Sequence, residues 1–401
     1  MLHRIYFDPG MFGFGRLASY DYFAHLERGI SERLRAEGCS VATYVVDVPP
    51  TASVRRRAGK LAELVAKTAN DENDEDDDGN GPIHLVGHST GGLDARLVAS
   101  PSAQLPVDRA QLAWLPRLAS VTTMNAPHYG TPLASFFATA QGQRMLYAVS
   151  ALTFIALSLG APPLAVASAL VMAVGRVDRA LGVELKLLDR ITDSLLGVID
   201  ETRSREVRVY LEAIKNDQGS VIQLTPEAMD LFQAGIEDRP GVLYQSTASA
   251  APPPSARGWL HSLHGPWSVI STPLFATLYS LTSRYDERYP CAAPFAGDEA
   301  EALLVRAFDR APGARANDGV VPLRSQIWGQ LVWAGWGDHL DVLGHFRDER
   351  IVPGETPDQI HIDWLASGAH FKRADFDQLI AAITDGMLAS TRGSTEERSA
   401  S

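Results

Sequence analysis

The chain has 401 residues, 45% apolar and 21% charged, which fits one large globular domain or a core domain with an inserted cap. Its formal net charge of −12 argues against a nucleic-acid partner, because phosphate binding needs a basic face. Cys39 and Cys291 stand in no metal-ligand spacing; two free thiols are the default reading and a single disulfide the alternative.

Taken in order, the chain first gives a short buried strand over residues 5–7. No apolar stretch or cleavage site precedes it, so no signal peptide is read and a cytoplasmic location is expected. Pro9-Gly10 and a glycine-rich stretch to Gly15 end that strand. Phe23, Leu26, Ile30 and Leu34 recur at helical spacing and predict a helix over 20–37. A second strand is expected over 41–48 and a helix over 53–69, with Leu61, Leu64 and Val65 facing inward. The acidic run at 71–78, within segment 70–80, reads as a solvated mobile loop rather than a calcium or partner patch.

An apolar strand over 83–86 then runs into Gly87-His88-Ser89-Thr90-Gly91-Gly92, and a helix follows over 93–99. The next strand is expected over 118–124. Alternating strand and helix implies the α/β class, with a mostly parallel sheet covered on both faces.

Residues 145–175 carry no charge, but Gly160-Ala161-Pro162-Pro163 breaks the run. Each half is shorter than the roughly 20 residues a membrane span requires. Two apolar helices in a hairpin fit better, covering a core, a partner or an apolar cleft. Further on, residues 176–201 read as helical and 207–214 as a strand. Thr225-Pro226 opens a helix. A strand is expected over 242–246, a helix over 273–284, a last strand over 329–336 and a last helix over 374–387. The domain reading is therefore a core of 1–134 and 205–390, an inserted helical cap over 135–204, and a disordered tail over 391–401.

The chemistry concentrates at Gly87-His88-Ser89-Thr90-Gly91. A serine on a tight strand-to-helix turn is presented above the sheet at a helix N-terminus, where developing negative charge is favoured. A serine hydroxyl needs a base, and the base an orienting acid. Asp318, in Asn317-Asp318-Gly319, and His339, just after the last expected strand, follow in the order Ser, acid, His. An Asp-Gly turn and a surface histidine are the plain alternatives, and His345, His361 and His370 compete with His339. Acyl transfer also needs donors for an oxyanion. The backbone N–H of Thr90 is one, and that of Met11, in the loop after the first core strand, is the candidate for the other. Phe12, His88, Leu133 and Leu340 are the candidate substrate contacts.

These segments together resemble bacterial lipases of the α/β-hydrolase fold, the true-lipase group typified by Pseudomonas and Burkholderia triacylglycerol lipases. The resemblance runs through Phe7 to Phe14 (FDPGMFGF), the elbow from Ile83 to Arg96, and VTTMNAPHYGTP from Val121 to Pro132. It continues through Gly241 to Ser246, Asn317 to Val321 and Asp338 to Asp341, and so spans roughly residues 5–346. It implies a Ser89–Asp318–His339 triad, an oxyanion hole of Met11 and Thr90, and a helical lid after Pro132. It implies a substrate with a hydrophobic acyl ester, lipid-interface contact through the 145–175 hairpin, and no redox cofactor. The family also carries a structural calcium. Asp341 falls on one ligand position, whereas His345 stands where a glutamine is expected, and imidazole suits calcium poorly. Pro9-Gly10 replaces the usual His-Gly, so the bonding behind the oxyanion loop must differ. An acyltransferase, thioesterase, amidase or polyester depolymerase would use the same triad. A non-catalytic lipid-binding protein is the alternative of another class.

Overall fold

The computed structural model describes residues 1–11, 16–17, 20–69, 81–140, 142–143, 145–147, 150, 201–255, 268–293, 297–348 and 363–399. Phe12, the acidic segment 71–78 and residues 151–200, most of the expected cap and hairpin, lie outside them.

Six strands build the main sheet: β1 (Leu2–Asp8), β2 (Ser40–Val45), β3 (Ile83–His88), β4 (Leu118–Met124), β5 (Leu243–Ala250) and β6 (Gln330–Trp336). Their order is β2-β1-β3-β4-β5-β6, and every neighbouring pair is parallel. Every residue of β1, β3 and β4 is buried, as expected of strands covered on both faces.

Side chains alternate across a strand, so β1 feeds two cores. Ile5 and Phe7 pack with Phe23, Leu26, Ile30 and Leu34 of the α1 side and with Leu379, Ile383 and Met387. Those belong to α1 (Ala24–Ala36) and to the closing helix, Arg373–Ser399, apart from Phe23, which caps α1. Tyr6 faces the other way, into Leu61, Ala62 and Val65 of α2 (Val54–Thr68) and Val98 and Ala99 of α3 (Thr90–Ala99). Ser53 caps α2 by accepting the Arg56 N–H.

The register decides where the site lies. Asp8 sits opposite Gly87, His88 opposite Met124, Met124 opposite Thr247, and Ala250 opposite Trp336. The C-terminal ends of the strands therefore line up, and the loops leaving them meet along one edge. In an open parallel sheet that edge is where ligands bind.

Four elements differ from the sequence reading. Residues 207–214, read as a strand, lie inside α5, which follows α4 (Pro132–Phe137) and spans Glu201–Asn216. Tyr210, Leu211 and Ile214 are buried while Val209 is 63% exposed, which is one helical stripe rather than alternation. After the short α6 (Gly219–Gln223), the Thr225-Pro226 signal opens α7 (Pro226–Gly235) as expected, and α8 (Ser268–Thr282) starts ahead of Pro273. A further helix, α9 (Asp298–Phe308), was not anticipated; its apolar stripe is Ala300, Leu304 and Phe308 between acidic residues. The closing helix, α10, continues beyond Ser390 to Ser399, because extending an anchored helix fixes one residue per added bond. Both cysteines are free. No helix of the described residues is long and apolar enough to cross a membrane.

Candidate active site

Ser89 occupies the single residue between β3 and α3, with φ 55° and ψ −125°. A side chain in that region is strained, and the neighbouring glycines are what permit it. A Cβ on Gly87 would lie 2.2 Å from the Gly91 carbonyl oxygen, and one on Gly91 would lie 2.1 Å from that of Asp8. The chain therefore turns back on itself against the end of β1. Only glycine fits at either position.

Asp318 and His339 come together from loops 21 residues apart. His339 Nδ1 lies 2.7 Å from Asp318 Oδ2, and the His339 backbone N–H donates to the Asp318 carbonyl at 3.0 Å. Asn125, in the loop after β4, donates to Asp318 Oδ2 at 2.9 Å. The Val320 and Val321 N–H groups donate to Oδ1 at 2.8 and 2.7 Å. The carboxylate is fully buried and wholly supplied with donors, so it can only accept from the imidazole, which fixes hydrogen on Nδ1. Nε2 is then the basic nitrogen.

His88, immediately before Ser89, ties the two halves. Its Nε2 lies 2.9 Å from the His339 carbonyl oxygen and its ring centroid 4.6 Å from that of His339. Its Nδ1 is 2.7 Å from Tyr22 Oη. Burial, with the neighbouring His339, holds His88 well below the usual imidazole range. Both ring nitrogens are taken by protein, which leaves none for the substrate contact expected of His88.

The candidate oxyanion loop follows β1. A Cβ on Gly10 would sit 2.9 Å from Ser89 Cβ and 3.4 Å from Ser89 Oγ, so this loop lies directly against the nucleophile candidate. Met11 is half-buried against the cluster containing Val54, Leu93 and Met229. Thr90 opens α3 and is fully buried. Behind the loop stands a buried Arg57: Nε donates to Asp94 Oδ2 at 2.7 Å, Nη2 donates to the Pro9 carbonyl, and Asp8 Oδ1 is 3.5 Å away. One guanidinium thus serves two buried carboxylates. Desolvation pushes Asp94 up to about 7 and Asp8 well above the usual range, against the pull of Arg57. Where the sequence left open how Pro9-Gly10 is held, the structure supplies Arg57.

Among the remaining expected residues, Leu133 is buried on α4 and Leu340 is half-buried against the Phe7–Phe346 core. Asp341 is engaged: its Oδ2 accepts the Asp338 N–H at 2.8 Å, while Asp338 Oδ1 accepts from Leu340 and Asp341. The pair closes the turn that presents His339. Burial, with Asp363 nearby, pushes Asp338 up to about 7. Among the described residues, no three His, Cys, Asp or Glu side chains converge to hold a metal ion.

A parallel sheet of this order, a strained serine at the turn from β3 into α3, and a buried Asp–His pair on the loops beside it define an α/β-hydrolase fold. No protein-family model matches the chain. It is 34% identical over 129 residues to a triacylglycerol lipase of Vibrio cholerae, covering 31% of this chain and 32% of the relative. To a triacylglycerol lipase of Pseudomonas fragi it is 27% identical over 125 residues, covering 31% and 34%. The chain thus spans about a third of the length of the curated relatives it matches. The solved structure of EstA from Clostridium botulinum superposes with a TM-score of 0.49 at 18% identity, covering 94% of this chain and 87% of that one.

Proposed function

We propose that the protein is a serine carboxylic-ester hydrolase of the lipase or esterase kind, working through Ser89, His339 and Asp318. The observation that carries this reading is the buried Asp318–His339 pair at 2.7 Å, its carbonyl bonded to the residue that precedes the strained Ser89.

His339 Nε2 takes the proton of the Ser89 hydroxyl as Oγ attacks the ester carbonyl carbon. The oxyanion so formed is held by the N–H groups of Met11 and Thr90, at the N-terminus of α3. The imidazolium, stabilised by Asp318, gives the proton to the departing alkoxide as the C–O bond breaks. Water then repeats the sequence on the acyl-enzyme and releases the acid. No redox cofactor enters. The charge-free stretch 145–175, within 135–204, supports an apolar lid over the acyl chain and thus a substrate with a substantial hydrophobic part. The lipase relatives support an acylglycerol or similar lipid ester.

The test is hydrolysis of p-nitrophenyl esters from acetate to palmitate, with labelling by an alkylphosphonate. The wild type gives a burst of product and one label, whereas Ser89→Ala gives neither. Full rate in Ser89→Ala removes the reading. Activity confined to acetate keeps an esterase and removes the lipase.

A further inference from the structure

We infer that Tyr22 and His88 are positioning residues that lock the oxyanion loop, the nucleophile turn and the His339 loop into one geometry. The inference rests on the proposed esterase reading and adds to it two side chains that do no bond-making.

The argument begins with hydrogen-bond direction. His88 Nε2 faces the His339 carbonyl oxygen at 2.9 Å, and a carbonyl can only accept. Nε2 therefore carries the hydrogen. Burial keeps the ring neutral, so it has one hydrogen only and Nδ1 is an acceptor. The Tyr22 hydroxyl, 2.7 Å from Nδ1, must then donate. Its own oxygen is left to accept, and the Gly10 backbone N–H supplies that bond. The result is a one-way chain, Gly10 N–H to Tyr22 O–H to His88 ring to His339 carbonyl.

Each end of this chain is a part the reaction uses. Gly10 precedes Met11, whose N–H the proposed mechanism assigns to the oxyanion, and the His339 carbonyl belongs to the proposed base itself. The middle member, His88, is bonded in sequence to Ser89. The packing leaves no slack: a Cβ on Gly10 would fall 2.9 Å from Ser89 Cβ and 3.1 Å from Tyr22 Oη. The rings also pack against one another at tilted angles, with Tyr22 5.8 Å from His88 and His88 4.6 Å from His339. Three loops leaving β1, β3 and β6 are thus held by two side chains, before any substrate arrives. Preorganisation of this kind acts on the acylation step rather than on ground-state binding.

The experiment measures the burst rate and KM with a p-nitrophenyl ester, the rate of phosphonate labelling, and thermal melting for Tyr22→Phe, His88→Gln and the double variant. Glutamine retains a donor for the His339 carbonyl and drops the Tyr22 partner. In each single variant acylation and labelling fall about tenfold to a hundredfold, with KM changed by less than about twofold. The double variant is no slower than the worse single, because one chain cut twice is still one cut chain. Where a variant melts earlier than the wild type, rates are taken at a temperature at which both are folded. Wild-type acylation in Tyr22→Phe, losses that multiply in the double variant, or a loss confined to KM overturns the proposal. Labelling that survives in Ser89→Ala removes the esterase reading instead, whereas a Ser89-dependent label with an unaffected Tyr22→Phe removes this inference alone.

Discussion

Asp318 shows most directly what a single side chain must satisfy. Its two oxygens face Asn125, His339, and the N–H groups of Val320 and Val321, all donors and all in the interior. Asp318→Asn places an amide NH2 against one of these pairs whichever way it turns. If nitrogen takes the His339 side, the imidazole is driven to the tautomer with hydrogen on Nε2 and loses its basic nitrogen. If nitrogen takes the other side, it confronts two backbone donors. The expected outcome is a fall in kcat of about a thousandfold or more, with stability lowered by about 1–3 kcal/mol for the unsatisfied donors. Steady-state kinetics and urea unfolding measure both. A variant keeping a tenth or more of wild-type kcat would show that Asp318 is only a turn residue.

At the scale of strands and helices, periodicity made most of the core legible. Ile5 and Phe7 against Tyr6, and Phe23, Leu26, Ile30 and Leu34, are spacings that elementary geometry translates into elements. The elbow was legible because its glycines answer to local sterics. What stayed hidden depends on distance along the chain. Tyr22 finds His88 across 66 residues, Arg57 finds Asp94 across 37, and Asn125 finds Asp318 across 193. No local signal marks such residues, and α9 was missed because acidic residues interrupt its stripe. Three neighbouring strands also share a buried polar chain: His3 Nδ1 to His84 Nε2 at 3.0 Å, and His84 Nδ1 to Ser120 Oγ at 2.8 Å. Desolvation lowers His84 to about 3 and His3 to about 4. Between those values and 6.5 the unfolded chain binds protons that the native one refuses, so the pair's contribution to stability is complete above pH 6.5 and is lost as pH falls. His84→Gln removes the His84 part of that titration. The gap between wild type and variant in urea unfolding should therefore be widest near pH 8 and narrow steadily toward pH 5. A gap that is constant with pH would mean that the His84 imidazole titrates normally.

Across the whole molecule, one sheet collects the groups in question: the Gly10 loop leaves β1, Ser89 ends β3, Asn125 follows β4 and His339 follows β6. Groups gathered at one sheet edge are approached as a unit, so the field of the entire chain acts on whatever comes to them. That field is set by a net charge of −12, to which residues 71–78 contribute seven acids in eight positions. If the substrate is presented at a lipid interface, an anionic interface repels the protein through long-range forces that salt screens within about 10 Å at 0.1 M. On an emulsion doped with anionic phospholipid, hydrolysis by the wild type should therefore rise as salt is added from low ionic strength. On a zwitterionic emulsion it should change little. Replacing 71–78 with a neutral glycine-serine segment should raise the low-salt rate on the anionic emulsion and flatten the salt response, with kcat/KM on a soluble neutral ester unchanged. Equal salt responses in the two proteins would show that the acidic run does not govern approach to the surface, and a fall on the soluble ester would show that it acts on the site itself.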